Sequence, residues 1–514
     1  MSSQSPTMVD QVDHQRQSSA EHAPMMGHSE SDDMHKMPVG PTTAKMLSHT
    51  LGADDPDNPM NWPTHRRLYA SAVSWACAFT IAFGLTMYTS AIPAIMSSFS
   101  ISMTKAISGY SLYLFGIFFA PIYTPHISER YGRSIVYLIS LFVGGLFHLG
   151  AGLSQSFAAL AVCRFLAGLA GGPCLVLIEG TFADIWSAET TNTYYAFLAV
   201  ASYFGAATGP IAGNFIVQAS NSWRWVSYVP CMLHLLIFFF TLGLPETYGR
   251  EIPRRRNKAR GLAPPPQAPA ESGVTLSQMA TITVVNPLKQ LIFEPIVLMI
   301  SFCLALNWAV TFQWFITVPI VLQTVYGFSP QRAGLAFISA IGGASLAALC
   351  TIITEQAIYK SCKTTGPMPI EKRLIPAMYG SVLMTASLFW VGWTADPKVH
   401  YLAPIFGTAV FVWDFLCGVP LRRIPPAGTL SALTAAACVR IAAGGIVPLV
   451  IVQSFMGIGG NWSLSIFGFI SIPCWAVPFV LYKWGPTLRA RSPYSRSMSI
   501  HGHVAPLMEM ENSA

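Results

Sequence analysis

Long apolar runs dominate this sequence and leave few folds open to it. An α-helix needs about 20 mainly apolar residues to cross a bilayer, whereas a barrel strand needs only about 10. The runs cover residues 68–95, 106–127, 135–153, 157–186, 195–217 and 226–244, and then 295–322, 333–359, 374–393, 401–419, 430–456 and 464–482. Their lengths indicate helices. We therefore predict an all-α polytopic membrane protein with about 12 transmembrane helices in two six-helix bundles.

Polar segments frame the two groups of runs. Residues 1–60 are rich in Ser, His, Met and Asp and lack apolar periodicity, which predicts a disordered cytosolic tail. Residues 61–245 and 293–485 are predicted to form the two bundles. Between them, residues 246–292 carry RRRNKARG and APPPQAPA, which are typical of an exposed cytosolic linker. Residues 486–514 are predicted to be a second cytosolic tail.

The composition agrees with a membrane protein and excludes several other classes. Hydrophobic residues make up 52% of the chain and charged residues 10%, against about 25% charged in soluble proteins. The ten cysteines are scattered without a C-x-x-C pair, so we expect neither a disulfide framework nor a metal site. No G-x-x-x-x-G-K-[ST] motif is present for ATP, and no polar segment is long enough for a catalytic domain. We expect no enzyme, no cofactor and no nucleic-acid partner.

The positions of lysine and arginine predict the orientation. These residues total 30, and the cytosolic flanks of membrane proteins collect them. With both termini in the cytosol, the outer loops hold only Lys105, Arg224, Arg332 and Lys398. We therefore place both termini in the cytosol.

Ionisable side chains inside the fourth run form the first candidate site. Arg164, Glu179 and Asp184 all lie in 157–186. A charged group within a membrane span is costly and is by default a functional hypothesis. The alternative is that Arg164 only pairs with a neighbouring helix for architecture.

Glycines and a proline mark the fifth run. Gly205, Gly209 and Gly213 have the small-residue spacing that lets helices approach closely, and Pro210 removes one backbone hydrogen bond. When the first runs of the two halves are superposed, Arg440 falls over the Gly213 region. This fits parallel repeats that flank a site near the membrane midplane.

The loop between the second and third runs resembles a known family. PHISERYGRSIVY is similar to the cytoplasmic loop signature of the major facilitator superfamily, although Pro125 and Ser134 depart from it. The resemblance implies a conformational switch, whose residues here are Glu129, Arg130, Gly132 and Arg133. Such charged pairs can latch helix ends, and their release biases a two-state motion.

Further motifs resemble the fungal twelve-helix drug:proton antiporter branch of that family. CRFLAGLAGG matches its fourth-helix arginine motif at Arg164, and GAATGPIAGN matches its antiporter motif apart from Asn214. DPDNPMNWP, SWRWVSYV, LPETY and FEPIVL are also similar. The resemblance spans roughly residues 54 to 490. It departs from the family in the 414–430 region, where VWDFLCGVPLRRIPPAG replaces the usual signature that runs into the eleventh helix.

The resemblance implies a secondary transporter driven by a proton gradient. We expect a monomeric exporter of small organic toxins, drugs or secondary metabolites, with Arg164, Glu179 and Asp184 in proton coupling. The plasma membrane is the expected location, with a vacuolar or vesicular membrane as the alternative. Proton-coupled transport of a polyamine, sugar or organic acid stays open, as does a transporter-like sensor.

Residues of the seventh run are the candidates for substrate binding. Asn307, Trp308, Gln313 and Trp314 place amides and indoles at near-helical spacing, which suits amphipathic or aromatic molecules. The alternative is packing between helices. Trp75, Tyr88, Tyr110 and Tyr113 are further candidates.

A glycosylation sequon begins at Asn461 in the last outer loop, Asn461-Trp462-Ser463. The loop is so short that the acceptor lies close to the membrane. We expect Asn461 to be unmodified.

Overall fold

Helices account for all the regular structure that can be described. The computed structural model describes residues 51, 54–187, 190–261, 281–362, 372, 374–417 and 430–491. Within these ranges the structure contains no strand, and twelve helical segments match the twelve apolar runs. Nine of them are long and apolar enough to cross a membrane, one more qualifies as a bent pair, and two are shorter apolar helices. The prediction of an all-α polytopic fold is confirmed.

The segments are numbered α1 to α12 in chain order. The first six are α1 (Thr64–Phe99), α2 (Met103–Phe118 and Ala120–Tyr131), α3 (Arg133–Leu153), α4 (Phe157–Ile185), α5 (Thr191–Ser220) and α6 (Trp225–Thr241). The second six are α7 (Pro295–Thr324), α8 (Pro330–Ser361), α9 (Ile375–Thr394), α10 (Leu402–Cys417), α11 (Leu430–Ile458) and α12 (Gly460–Arg491). Below, the first half means α1 to α6 and the second half means α7 to α12.

Two of the segments are interrupted where proline removes a backbone donor. In α1 the regular helix gives way to a 3-10 turn at Met87–Ala91, just before Pro93 near the start of Ile92–Phe99. In α2 the two helices bend by 42° between Phe118 and Ala120, where Pro121 starts the second one. Hydropathy runs on through both breaks, so the sequence predicts each segment as one straight span.

Short helices occupy part of the expected linker. A helix at Glu251–Ala259, called the linker helix below, follows α6, and Asn286–Phe293 precedes α7. The proline-rich part of the linker, nearly all of the predicted tail 1–60, most of the tail 486–514 and residues 418–429 lie outside the described residues.

The halves pack around two hydrophobic cores and meet along a defined interface. One core comes mainly from the first half and the other mainly from the second, to which α5 also contributes Ala196, Ala199 and Tyr203. The halves meet chiefly where α2 packs on α11 and α5 packs on α8.

Side-chain hydrogen bonds cross this interface between the halves. They join Tyr110 Oη to the Phe312 carbonyl (3.2 Å), Tyr203 Oη to Thr311 Oγ1 (3.4 Å), Asn192 Nδ2 to Glu355 Oε1 (2.8 Å), Gln453 Nε2 to Thr104 Oγ1 (3.4 Å) and Gln331 to Gln218. They are spread along the length of the helices rather than gathered at one end.

Candidate functional site

Arg164 of α4 lies in a cage of backbone carbonyls and aromatic rings. Its side chain is fully buried. Its guanidinium donates to the carbonyls of Gly84 (2.9 Å) and Leu85 (3.3 Å) on α1. The 3-10 turn that follows changes the hydrogen-bond register of α1, which frees carbonyls for an external donor. The arginine therefore holds α1 at its break.

The cage is completed from α2 and from the 3-10 turn of α1. Arg164 Nε donates to the Gly109 carbonyl at 3.4 Å. The rings of Tyr88 and Tyr113 each lie 4.6 Å from the guanidinium carbon, close enough for cation–π attraction. Within the described residues no carboxylate pairs with Arg164. It is a buried cation held by dipoles and rings.

The two acids of α4 lie far from Arg164. Glu179 is fifteen residues further along the helix, about 22 Å at 1.5 Å per residue. It is partly exposed, and its backbone carbonyl accepts from the Tyr195 hydroxyl. The structure thus separates the three residues that the sequence groups for proton coupling.

Asp184 instead joins the residues of the loop signature. Its carboxylate binds the Arg133 guanidinium in bidentate fashion, with N–O distances of 2.9 and 3.2 Å. Arg133 is the first residue of α3, so this pair ties α3 to the end of α4. Glu129 and Arg130 are exposed, and in the described part of the chain neither makes an ion pair. The acid that latches Arg133 is therefore Asp184 and not Glu129.

Glu246 is the functional candidate that sequence reasoning missed. It lies in LPETY after α6, and its buried carboxylate accepts from the backbone N–H of Arg133 (2.8 Å) and from the Ser134 hydroxyl (2.8 Å). A carboxylate is favoured at a helix N-terminus because it satisfies free N–H groups and opposes the helix dipole. Gly132, with φ of +86°, brings the chain into this position, and a Cβ there would collide with Glu246.

The linker helix is tied to the same cluster. Arg255 pairs with Glu246 (2.9 Å) and donates to the Tyr131 carbonyl at the end of α2 (3.1 Å). Arg254 donates to the Arg130 carbonyl at 3.1 Å. The basic linker is therefore docked on the α2–α3 turn, a finding that the lysine and arginine count alone does not predict.

The segment before α1 is bound to the linker helix as well. Arg256 forms an ion pair with Asp55 at 3.1 Å. The Asp57 backbone N–H donates to Asp55 Oδ1, and this bond and the Arg256 guanidinium together hold the pKa of Asp55 below its usual range. Asp55 belongs to the motif DPDNPMNWP. The sequence shows that this motif resembles the family but predicts no contact for it.

The glycines of α5 face the break in α1. There is no room for a Cβ at Gly205, Gly209 or Gly213, because each packs against backbone or side-chain atoms of α1 between Phe79 and Ser90. The Pro210 carbonyl accepts from the Ser90 hydroxyl at 3.1 Å. The predicted close approach is present, and it is directed at the segment that Arg164 holds from the other side.

Trp308 of α7 lies where the halves meet. The Arg440 guanidinium of α11 lies 4.9 Å from its ring, and its ring contacts Phe312 edge to face at 5.1 Å. Phe312 in turn approaches Tyr110 of α2, with ring centroids 6.5 Å apart. This group of four residues, Tyr110, Trp308, Phe312 and Arg440, is called the junction cluster below.

The other predicted substrate residues of α7 do not share that face. Trp314 stacks on Phe411 of α10 at 5.0 Å, inside the second core. Gln313 is fully buried, and neither polar atom of its amide has a hydrogen-bond partner in the part of the chain that the structure describes. It lies five residues from Trp308, about 140° around the helix. Asn307 is also buried.

Two remaining sequence predictions concern the second half. Asn461 is the second residue of α12, partly buried, and its carbonyl accepts from the Ser465 hydroxyl at 2.7 Å. The side chain of Asp414 and residues 418–429 lie outside the described residues. The difference from the family pattern at 414–430 therefore remains an observation on the sequence alone.

These features define the class of the protein, and comparisons with known proteins identify the family. In the described residues, twelve helical segments form two halves that meet at a mixed aromatic and basic cluster, and nine or ten of the segments are long and apolar enough to cross a membrane. This arrangement is typical of a secondary transporter. The chain belongs to the Major Facilitator Superfamily, whose model matches residues 74–438. It is a membrane transporter and not an enzyme, as the sequence predicts.

Relatives and solved structures agree with this family. The chain is 28% identical over 480 residues to Polyamine transporter 4 of Saccharomyces cerevisiae, covering 86% of this chain and 72% of that one. It is 30% identical over 466 residues to Efflux pump FUBT of Fusarium oxysporum, covering 86% and 76%. The solved proton:xylose symporter XylE shares 14% identity with a TM-score of 0.58, covering 82% and 96%, which shows the fold alone.

Proposed function

We propose that this transporter exports small neutral or anionic aromatic compounds, such as toxins, drugs or secondary metabolites, in exchange for protons. The observation that carries the proposal is the charge of the helices at the interface between the halves. Arg440 stands at the junction cluster beside Trp308. The sequences of α1, α2 up to Phe118, α5, α7 and α11 contain no Asp or Glu. The fifth-helix partner α8 carries one acid, Glu355, whose carboxylate accepts from the Asn192 amide at 2.8 Å.

Such a lining favours an aromatic ligand without positive charge. Trp308, Phe312 and Tyr110 offer ring faces and edges for stacking, and Arg440 offers a cation for a carboxylate or phenolate. A polycation would meet Arg440 with no compensating acid on α1, α2 up to Phe118, α5, α7 or α11. Polyamine transport is the alternative hypothesis, because one relative is a yeast polyamine transporter. The experiment must therefore distinguish the two substrate classes.

Proton coupling is assigned to charged groups in and beside the membrane. Arg164 is a buried cation without a carboxylate partner among the described residues, and an added negative charge or a lost dipole would strongly perturb it. Glu179 and Asp184 lie in the last two turns of α4, toward the end of the helix that the placement of lysine and arginine predicts to be cytosolic. We place both termini in the cytosol and the protein, as a monomer, in the plasma membrane, with an internal vesicle or vacuole as the alternative.

The test compares deletion and overexpression strains at several external pH values. Cells are loaded with labelled spermine or with 1-naphthalenesulfonate, and efflux is followed. The second compound is an aromatic anion that stays charged at every pH used. We expect overexpression to speed loss of the aromatic anion, more so at acid external pH, and deletion to slow it. Faster movement of spermine with no effect on the aromatic anion would overturn the substrate class, and pH-independent efflux would overturn the proton coupling.

A further inference from the structure

Two buried histidines that the sequence did not single out face each other inside the first half. His148 lies on α3 and His234 on α6, both fully buried, with ring centroids 4.9 Å apart. Glycines on α3 make the room. A Cβ at Gly144 would lie 3.3 Å from the His234 ring, and one at Gly145 would lie 3.2 Å from its Cβ. The pair is packed between helices and not exposed to lipid.

Hydrogen bonding at this pair is incomplete. His234 Nδ1 lies 2.8 Å from the Pro230 carbonyl, which can only accept, so Nδ1 carries a hydrogen. In the neutral ring Nε2 then keeps a free lone pair, and no described residue bonds to it. Within the same described ranges, neither ring nitrogen of His148 has a hydrogen-bond partner. Buried polar atoms are nearly always hydrogen-bonded. Three adjacent ring nitrogens without a hydrogen bond therefore indicate a binding site.

The groups around the pair connect it to Arg164. Tyr113 of α2 lies 5.7 Å from the His148 ring, and its buried hydroxyl has no hydrogen-bond partner among the described residues. The guanidinium carbon of Arg164 on α4 lies 4.6 Å from the same Tyr113 ring. Cys174 of α4 is the remaining titratable neighbour of Tyr113. The α1 face of the pair is Gly84, which bears no charge.

Gly84 is in contact with both the arginine and the histidines. Its carbonyl accepts from Arg164 Nη1 at 2.9 Å. A Cβ added to it would lie 3.1 Å from His148 Nε2. A charge gained or lost at the pair is therefore felt at the same residue of α1 that Arg164 holds, at the start of the break in that helix.

We propose that His148 and His234 form a shared proton-binding site of the transport cycle. A hydronium ion transfers one proton to a free ring-nitrogen lone pair, so that an O–H bond breaks, an N–H bond forms and a water molecule is left. The ring gains one positive charge, and the facing ring can accept a hydrogen bond from the new N–H. The same N–H bond breaks when the proton leaves to water on the other side. Histidine suits this step because it changes charge near neutral pH, and like-charge repulsion limits the pair to one proton.

Occupancy of the site acts on α1 through Arg164. A second cation close to the guanidinium disfavours the arrangement in which both approach Gly84, so protonation favours a conformation in which α1 or α4 has moved. The bistable element is the broken α1, and the bound proton biases its equilibrium. This inference rests on the proposed proton-driven export and adds a proton-binding pair to the charged groups named there.

The first experiment measures proton binding without any substrate. Full-length protein labelled with ¹⁵N-histidine is placed in lipid nanodiscs, and the imidazole resonances are titrated with protons alone. His148→Gln and His234→Asn assign the signals. The asparagine amide can still donate to the Pro230 carbonyl, and His400→Gln, in the α9–α10 loop, is the matched control. We expect the pair to take up one proton jointly and either substitution to shift the titration of the remaining ring. Two rings that titrate independently, or not at all, would overturn the site.

The second experiment separates this site from the proposed function. Proteoliposomes carrying each variant are assayed for 1-naphthalenesulfonate accumulation under a pH gradient and for exchange without one. We expect His148→Gln and His234→Asn to lose gradient-driven accumulation down to the level of empty vesicles while exchange continues, and His400→Gln to match wild type. Gradient-driven transport at the wild-type level in both pair variants would refute the histidine site and leave the export proposal standing. Absence of gradient-driven transport in wild type would refute the export proposal, and the inference with it.

Discussion

Arg164 donates a hydrogen bond to a neutral partner from each of its three guanidinium nitrogens. Three carbonyls from two helices fit the planar, forked guanidinium, and two tyrosine rings cover its faces. A lysine cannot reproduce this fork. The residue therefore acts through geometry as well as charge, which the sequence alone could not show.

We predict that Arg164→Ala and Arg164→Lys both abolish proton-coupled export while the protein still reaches the membrane. The alanine variant leaves carbonyls of α1 without a donor, at a cost of about 1–3 kcal/mol each. Glu179→Gln is predicted to abolish export as well, by removing a titratable group and not by loosening this cage. Efflux and surface abundance are measured together, and normal efflux by any of these variants contradicts the assignment.

Arg440 is predicted to set the charge preference of the junction cluster. Arg440→Gln should weaken export of 1-naphthalenesulfonate roughly tenfold, as expected for loss of about 1.4 kcal/mol of charge-assisted binding. Arg440→Glu should further admit spermine. The comparison is made on initial efflux rates, with Trp314→Phe, in the second core, as the control that leaves the charge preference unchanged. Equal preference in all variants would show that Arg440 does not face the substrate.

At the scale of helices, the sequence predicts existence better than shape. The apolar runs predict the ends of the helical segments to within four residues, because hydropathy follows the thickness of the bilayer, except that α12 continues nine residues past its run to Arg491. The sequence does not predict the breaks in α1 and α2, because apolar residues continue through Pro93 and Pro121. Glu246 escapes for a different reason, since its partner Arg133 lies 113 residues away along the chain. His148 and His234 look solitary in their own runs and become a pair only through the packing of α3 on α6.

The turn between α2 and α3 is predicted to control the rate and not the selectivity. Arg133→Ala removes the bidentate bond to Asp184, worth about 2 kcal/mol, and should slow turnover by roughly tenfold or more. Glu246→Gln should have a similar effect by weakening the hold on α3 and Arg255. Glu129→Ala should slow turnover less, since this exposed acid pairs with nothing in the described structure.

The decisive control for that turn is a charge swap. Arg133→Asp alone should be the slowest variant, and Arg133→Asp with Asp184→Arg should recover part of the rate. Turnover and the range of compounds carried are both measured. A changed range at an unchanged rate, or no recovery in the double variant, would argue against a switch at this site.

The start of α12 offers a simple test at the same scale. Asn461 lies within the first turn of the helix and close to α9, where a Cβ on Gly392 would lie 3.2 Å from the Asn461 carbonyl. A glycan needs an acceptor clear of the membrane and of neighbouring helices. We predict no shift in gel mobility on glycosidase treatment; a shift that disappears in Asn461→Gln would contradict this.

For the whole molecule, the contacts between the halves set how readily the transporter changes state. Among the described residues, the side-chain hydrogen bonds that cross the interface are few, and each such bond contributes about 1 kcal/mol net. One proton moved across a difference of one pH unit releases about 1.4 kcal/mol. The free energy of the hydrogen bonds across the interface and the free energy released by the proton are therefore of the same order.

Tyr203→Phe, which removes one bond to Thr311, should displace the pH of half-maximal turnover by up to about one unit and leave the maximal rate intact. Under the proposed proton coupling, one proton is enough to change the state of a chain built this way, and the pH at which it operates can be adjusted one side chain at a time.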